Sequence, residues 1–363
     1  MADVIETLNT VSVQIPYTET SDPAVLAKIP LVSVLIITYN HSPYIADAIE
    51  GVICQKTGFP IELIIGEDCS TDNTRGIVLE YQRRYPQMIR VINSDRNVGM
   101  QRNYLRVHEA ARGKYIAFCE GDDAWIDDRK LEKQVNVMRS EPDCSMVFHA
   151  AEIFRVKKGT VEVRHYGSSA KTFSLAEVVL AGSGFIFAGS TMVRRTMVVP
   201  LPKWVIDCEV GDYPFAVHCA SRGKVIYLPD VMSVYRMGVP GSWVVRSAGF
   251  EQQKRTLDSI LRMLDEFPEN TGKEVAEVVG KAKEKFIVSF MMAKEYPSFR
   301  EEDRLRYLSC LTWKGRALVA LTRFYVSRRM IKVAIRLRER VWRRVSGQSV
   351  SIRPRHSRSE FNA

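Results

Sequence analysis

The sequence predicts an α/β fold, a mostly parallel sheet flanked by helices, with a helical extension at the C-terminal end. Three observations carry this expectation. Apolar runs rich in β-branched residues recur at Leu31–Tyr39, Ile61–Gly66, Met88–Asn93 and Lys114–Cys119. Each run is followed by capping residues and then a helix-length segment. Polar residues gather at the C-terminal end of each run, where open α/β sheets bind their ligands. Alternation of strand and helix with short connections calls for parallel strands wrapped on both faces.

In chain order, residues 1–30 read as a loose leader with extended apolar character around Val11–Ile15 and no assigned role. Leu31–Tyr39 has the composition of a strand buried on both faces. Ser42-Pro43 then opens a helix to about Gln55. The second strand, Ile61–Gly66, ends in Glu67–Thr74, whose polar side chains cap a helix reaching about Tyr85. The third strand, Met88–Asn93, leads through Asn97-Val98-Gly99 into another helix. The fourth, Lys114–Cys119, ends in Glu120-Gly121-Asp122-Asp123.

Further on, a helix is predicted from Asp128 to about Ser140, a strand over Met146–Val156 and a hairpin arm over Lys157–Tyr166. The pattern turns irregular from Ser174, and the polar loop Asp207–Phe215 enters a helix through about Arg222. Val225–Leu228 reads as a last short strand and Ser233–Trp243 as a turn-rich loop. Beyond Val244 the chain reads as helical, with Pro268 and Pro297 as breaks. The expected divisions are a leader (1–30), a catalytic-type α/β domain (31–243), a helical extension (244–322) and a basic tail (323–363).

With 363 residues, 46% hydrophobic and 26% charged, the chain can bury a substantial core. No apolar run approaches the roughly 18–20 residues that span a bilayer. Residues 1–30 lack a basic stretch followed by an apolar one, so no cleaved signal is expected. Seven scattered cysteines without CxxC spacing point to free thiols in a reducing cytoplasm, and against a zinc site or disulfide framework. The net charge of +10 is uneven. From Asp303 onward 16 Lys and Arg face 3 Asp and Glu, while the preceding residues carry 36 against 39. An anionic partner is therefore expected for the tail alone.

Three carboxylates in four residues, Glu120, Asp122 and Asp123, repel one another unless a cation or water screens them. At a strand's end they suit a hard divalent metal that also holds a diphosphate. The alternative is a solvated turn capping the helix that follows. Neither GxGxxG nor GxxxxGK[ST] occurs, so no dinucleotide fingerprint or P-loop is present.

Together, Val34–Asn40, Glu67-Asp68-Cys69-Ser70-Thr71-Asp72, Asn97-Val98-Gly99 with Arg102-Asn103, and Glu120-Gly121-Asp122-Asp123 resemble the family 2 glycosyltransferases. The resemblance spans roughly residues 31–243 and implies the GT-A (Rossmann-like) fold. It implies that Thr38, Tyr39 and Asn40 line a nucleotide pocket and that Asp68 accepts from the base imino N–H. A carboxylate suits uracil, whose N–H lies between two carbonyls. It further implies Asn97 and Arg102 near the nucleotide, Glu120 toward the ribose, Asp122 on Mg²⁺ or Mn²⁺, and Asp123 near the sugar. Glu120 and Glu67 stand where the family usually has aspartate. Tyr235-Arg236-Met237-Gly238 lacks the histidine many relatives carry after Tyr-Arg, leaving Arg236, Ser242 or Trp243 for the diphosphate.

The resemblance also implies a general base, best matched by Asp212 at a helix start, with Glu209 and Asp207 as fallbacks; an N-cap is the other reading of Asp212. Trp204, Trp243 and Tyr213 are candidates for stacking on acceptor sugars, or for core packing. The expected activity is inverting transfer from a nucleotide sugar, UDP-linked, to a glycan or lipid-linked glycan acceptor in surface-polysaccharide synthesis. Residues 323–345 place apolar side chains on one face and arginines on the other, as in a helix lying on the anionic inner face of the cell membrane. Specific nucleic-acid binding is not expected. A sugar-nucleotide nucleotidyltransferase and a non-catalytic scaffold acting through the tail are the alternatives. The first wants a Gly-rich basic loop where Thr38–Pro43 stands; the second is disfavoured by intact acidic motifs.

Overall fold

The computed structural model describes residues 15–267, 273–293, 300–323 and 349–353. The first half comprises β1 (Thr18–Thr20), α1 (Pro23–Ala27), β2 (Val32–Thr38), α2 (Ile45–Ile53), β3 (Ile61–Glu67), α3 (Thr74–Arg84), β4 (Ile89–Asn93), α4 (Met100–Ala110), β5 (Tyr115–Glu120), β6 (Ala124–Trp125) and α5 (Lys130–Ser140). There follow β7 (Cys144–Arg155), β8 (Thr160–His165), β9 (Lys171–Phe173), α6 (Leu175–Ala181), β10 (Met192–Arg194), α7 (Arg195–Val198), α8 (Lys203–Ile206), α9 (Asp212–Arg222) and β11 (Lys224–Met237). The helices α10 (Trp243–Arg246), α11 (Phe250–Glu266), α12 (Lys273–Ala293), α13 (Glu301–Ser309) and α14 (Trp313–Arg323) come next, and β12 (Ser349–Arg353) closes the described chain.

The sheet runs β1-β4-β3-β2-β5-β10-β7-β11-β6, with β8 beside β7 and β12, and β9 beside β11. Strands β4, β3, β2 and β5 are parallel, whereas β10 enters antiparallel between β5 and β7. Alternation along each central strand divides the core. Val34, Ile36, Leu63 and Ile65 pack under α2, α3 and α5 on one face. Leu35, Ile64, Ile116 and Phe118 pack under α4 and α9 on the other. Each fully buried Val, Leu or Ile here contributes roughly 1.5–3 kcal/mol. A separate cluster joins α11 through α14, around Ile287, Met291 and Tyr307.

Register matters most for the site. Thr38 pairs with Glu67 and Ile37 with Glu120, so three motif-bearing strands end level with one another.

The structure revises several expected elements. Thr18–Thr20 pairs antiparallel with β4, so the part of 1–30 that is described is fixed to the sheet edge. Leu175–Ala181 is helical, begun by a capping box between Ser174 and Glu177. The expected short strand and following loop are one strand, β11, whose register shifts near Pro229–Val231 absorb the residues that read as a break. The expected basic helix over 323–345 falls almost wholly outside the described residues, and Ser349–Arg353 pairs with β8. No helix of the described residues is long and apolar enough to cross a membrane.

Candidate active site

The loop leaving β2 is laced to the loop leaving β3. Asn40 sits at φ 56°, a left-handed conformation that asparagine tolerates. Its backbone N–H donates to Ser70 Oγ (3.0 Å), while its Oδ1 accepts from the Thr71 N–H (2.8 Å). The His41 N–H donates to Thr74 Oγ1 (2.8 Å) and the Ser42 N–H to Asp72 Oδ2 (3.0 Å). Tyr39 projects beside them, 39% exposed.

Asp68 is buried and anchors a third loop. Its Oδ1 accepts from the Val98 N–H (2.9 Å) and from Arg106 Nη2 (3.2 Å), and its Oδ2 accepts from the Gly99 N–H (2.9 Å). Asn97 Oδ1 also accepts from the Gly99 N–H (3.0 Å). Gly99 adopts φ 87°, which favours glycine. Arg102 is exposed on α4 and makes no hydrogen bond or ion pair among the described residues. The arginine of α4 that meets the acidic loop is Arg106, one turn further on.

The acidic turn closes the arrangement. A Cβ on Gly121 would lie 2.7 Å from Thr38 Oγ1 and 2.8 Å from His41 Nδ1, so glycine serves close approach to the first loop rather than a left-handed bend. Arg236, on β11, holds the turn in place. Its backbone N–H donates to Asp123 Oδ1 (2.9 Å), Nη1 donates to the Asp122 and Asp123 carbonyls (3.1 Å each), and Nη2 pairs with Asp47 (2.5 Å). Trp125 Nε1 donates to the Gly189 carbonyl (3.0 Å), drawing the 188–190 segment alongside. Burial, reinforced by the charges of Asp122 and Asp212, pushes Glu120 up to about 8. Burial and the charges of Asp122 and Glu120 raise Asp123 well above the carboxylate range, against the Arg236 N–H. Burial holds His41 below its usual range, although its Nε2 lies 3.9 Å from Asp122 Oδ2.

Asp212 opens α9. Its Oδ1 accepts from the Tyr213 N–H (2.7 Å) and its Oδ2 from the Gly184 N–H (3.2 Å). Burial raises its carboxyl, and those N–H groups oppose the rise. Glu120 and Asp212 line one cavity of about 70 Å³, otherwise walled chiefly by apolar groups such as Tyr104, Phe118, Ile186 and Phe215. Burial and then the charges of Glu120, Asp123, Asp122 and Asp212 raise the Tyr235 hydroxyl, whose ring stacks on Phe187 at 4.8 Å.

The structure therefore gathers Thr38, Glu120, Asp122, Asp123, Asp212 and Arg236, with Asp68 supporting from behind. Sequence reading missed His41, Asp47, Arg106 and Tyr235. His41 directly follows the first motif and Tyr235 stands next to Arg236; Asp47 and Arg106 are identified only by tertiary contact. Two acceptor-stacking candidates are structural. Tyr213 is buried, with its hydroxyl on the Val179 carbonyl (2.9 Å), and Trp204 packs edge-on against His218 and Phe267. The fallback bases are engaged elsewhere, Glu209 with Gln252 and Asp207 with Lys203.

Among the described residues no three acidic, histidine or cysteine side chains form a complete metal cage. The hard oxygens of the acidic turn still fit a divalent cation that takes its other ligands from a bound molecule. Thr38 Oγ1 and His41 Nδ1 are buried without partners beside that turn, as expected at a polar binding site.

A family model described as "Glycosyl transferase family 2" matches residues 33–199. An uncharacterized Mycobacterium tuberculosis protein is 35% identical over 212 residues, 58% of this chain and 60% of that protein. The match thus spans less than two thirds of the mycobacterial relative. An uncharacterized glycosyltransferase of Methanocaldococcus jannaschii is 32% identical over 210 residues, 57% of this chain and 71% of that protein. Bacillus subtilis TuaG, provisionally named a teichuronic acid biosynthesis glycosyltransferase, is 40% identical over 119 residues, 33% of this chain and 46% of that protein. The crystal structure of S. aureus TarS 1–349 with UDP-GlcNAc aligns with a TM-score of 0.56 and 14% identity, over 80% of this chain and 87% of that one. That likeness shows the fold, GT-A.

Proposed function

Because the chain belongs to glycosyl transferase family 2, we propose that it moves one sugar from a UDP-linked donor to a glycan or lipid-linked glycan of a surface polysaccharide, with inversion. The observation that carries the reading is Glu120, at the start of the acidic turn, sharing one cavity with Asp212, while Asp122 and Asp123 are buried beside it. TuaG's name supports a polysaccharide product, and the UDP-GlcNAc held by TarS supports a uridine donor.

In this reading Thr38, Tyr39 and Asn40 form one wall of the nucleotide pocket. Asp68, Asn97 and Arg102 form the other, with Asp68 also fixing the 97–99 loop. Glu120 faces the ribose and Asp123 the sugar, while Arg236 holds the turn and adds positive charge near the diphosphate. Asp122 would hold Mg²⁺ or Mn²⁺, which supplies Lewis-acid neutralisation of the leaving diphosphate. The acceptor hydroxyl loses its proton to Asp212 as its oxygen bonds the anomeric carbon and the bond to the diphosphate breaks. The Tyr213 and Gly184 N–H groups fix the orientation of that carboxylate. One base and one displacement give inversion.

Calorimetric titration of UDP, GDP and CDP, with Mn²⁺ and then with EDTA, tests this. Metal-dependent binding selective for UDP is the expected result. Binding by none of the three would overturn it.

A further inference from the structure

At the opposite end of the sheet lies a second cavity of about 570 Å³, formed by the loops that precede β2, β3 and β5 and by the start of α7. Its lining includes Arg112, Lys114, Arg139 and Arg195, and no carboxylate. Arg112 is committed to the fold, bound to Glu62 at 2.6 Å and to the Leu26 and Val25 carbonyls. The other three have no carboxylate partner among the described residues. Lys114 lies over the Tyr115 ring and Arg139 over the Phe59 ring, and Arg195 Nε is buried without a hydrogen bond. Three uncompensated cations converging on one concavity form an electrostatic trap for an anion. This is notable in a body that, up to residue 302, carries slightly more acid than base.

The apolar side of the same cavity narrows the ligand. Ile29 is 85% exposed at its edge and Phe59 lines it. A free phosphate would satisfy the cations and leave both side chains against water. A volume in the range of small-molecule sites also leaves room for more than an ion.

We propose that this cavity binds the headgroup region of an anionic phospholipid, with phosphate oxygens on Lys114, Arg139 and Arg195 and the start of the acyl chains against Ile29 and Phe59. The site uses no residue of the basic tail and does not depend on the transferase reading. It gives the folded body its own membrane contact, on the side away from the acidic turn.

The test uses the full chain and dihexanoyl phosphatidylglycerol below its micellar concentration, followed by calorimetry. Dihexanoyl phosphatidylcholine and inorganic phosphate are titrated in parallel. Saturable binding of dihexanoyl phosphatidylglycerol is expected, with inorganic phosphate bound more weakly and dihexanoyl phosphatidylcholine not bound. The phosphatidylglycerol affinity should fall roughly 30-fold in Arg139→Gln/Arg195→Gln, taking about 1 kcal/mol per cation. Lys114→Gln, at an exposed position, should weaken it roughly fivefold without disturbing the fold. Ile29→Asn should weaken lipid binding and leave phosphate unaffected. Equal affinity for inorganic phosphate, undiminished lipid binding in the variants, or no lipid binding at all would each overturn the proposal. UDP titration of the same variants should match the parent protein, which keeps this result apart from that of the transferase test.

Discussion

Arg236 grips Asp123 at two points, its backbone N–H on Oδ1 at 2.9 Å and its guanidinium on the carbonyl at 3.1 Å. The same guanidinium reaches the Asp122 carbonyl and the Asp47 carboxylate, so one side chain on β11 sets the geometry of the acidic turn. Lysine cannot reproduce this fork. Arg236→Lys should lower kcat/KM by roughly 10- to 100-fold, on the scale of one or two hydrogen bonds to charged groups. Steady-state kinetics on a protein with unchanged circular dichroism checks it.

Asp122→Asn should abolish the enhancement of UDP binding by Mn²⁺, and EDTA should then have no further effect. Titration of nucleotide with and without metal reads this directly. A variant that still responds to Mn²⁺ would move the metal elsewhere.

Asp212→Asn should reduce kcat by on the order of 10²–10⁴ while leaving the UDP dissociation constant unchanged. The proposed base acts deprotonated, and burial raises the Asp212 carboxyl, so on this reading the rate of the parent enzyme should fall as pH drops through a value above the ordinary carboxylate range. A kcat–pH profile locates that limb. Retained activity in the variant would assign the base to another group.

Asp68→Ala should destabilise the protein by roughly 3–5 kcal/mol, because it strands Arg106, 1% exposed, without its carboxylate. Urea denaturation measures the loss. The 97–99 loop should also gain amide exchange, since Val98 and Gly99 lose their acceptor.

His108 and His218 are buried as neutral rings, and burial lowers each to about 4. Their folded values lie below the unfolded one near 6.5. The stability they contribute is therefore complete above about pH 6.5 and is lost as pH falls toward 4. The effect is on the order of 2–3 kcal/mol per ring. Urea midpoints between pH 7 and 4.5 should drop less steeply in His108→Gln/His218→Gln than in the parent.

The half of the sheet that carries the motifs was legible because β2, β3, β4 and β5 are buried on both faces, which forces continuous apolar runs. Their ends were legible because polar residues cannot continue such runs inward. Strand β11 was not, since Pro229 is a local signal of a break and only pairing with β7 overrides it. The helix α6 had a signal, Ser174 and Glu177 in capping-box spacing, that the surrounding glycines obscured. Asp47 and Arg236 meet across 189 positions, and no local pattern announces such a pair. Asp68 showed its acidity in sequence but not that its oxygens already accept from Val98, Gly99 and Arg106.

The lacing of Asn40, His41 and Ser42 to Ser70, Thr71, Asp72 and Thr74 bears on the entropy of the proposed nucleotide binding. Backbone left free in these loops would lose roughly 1–2 kcal/mol of conformational entropy per residue on capturing a ligand. Here that freedom is already gone in the folded chain. A nucleotide settling against this wall meets a surface that needs no ordering, so the entropy of association on that side is set by water release and by the ligand's own torsions.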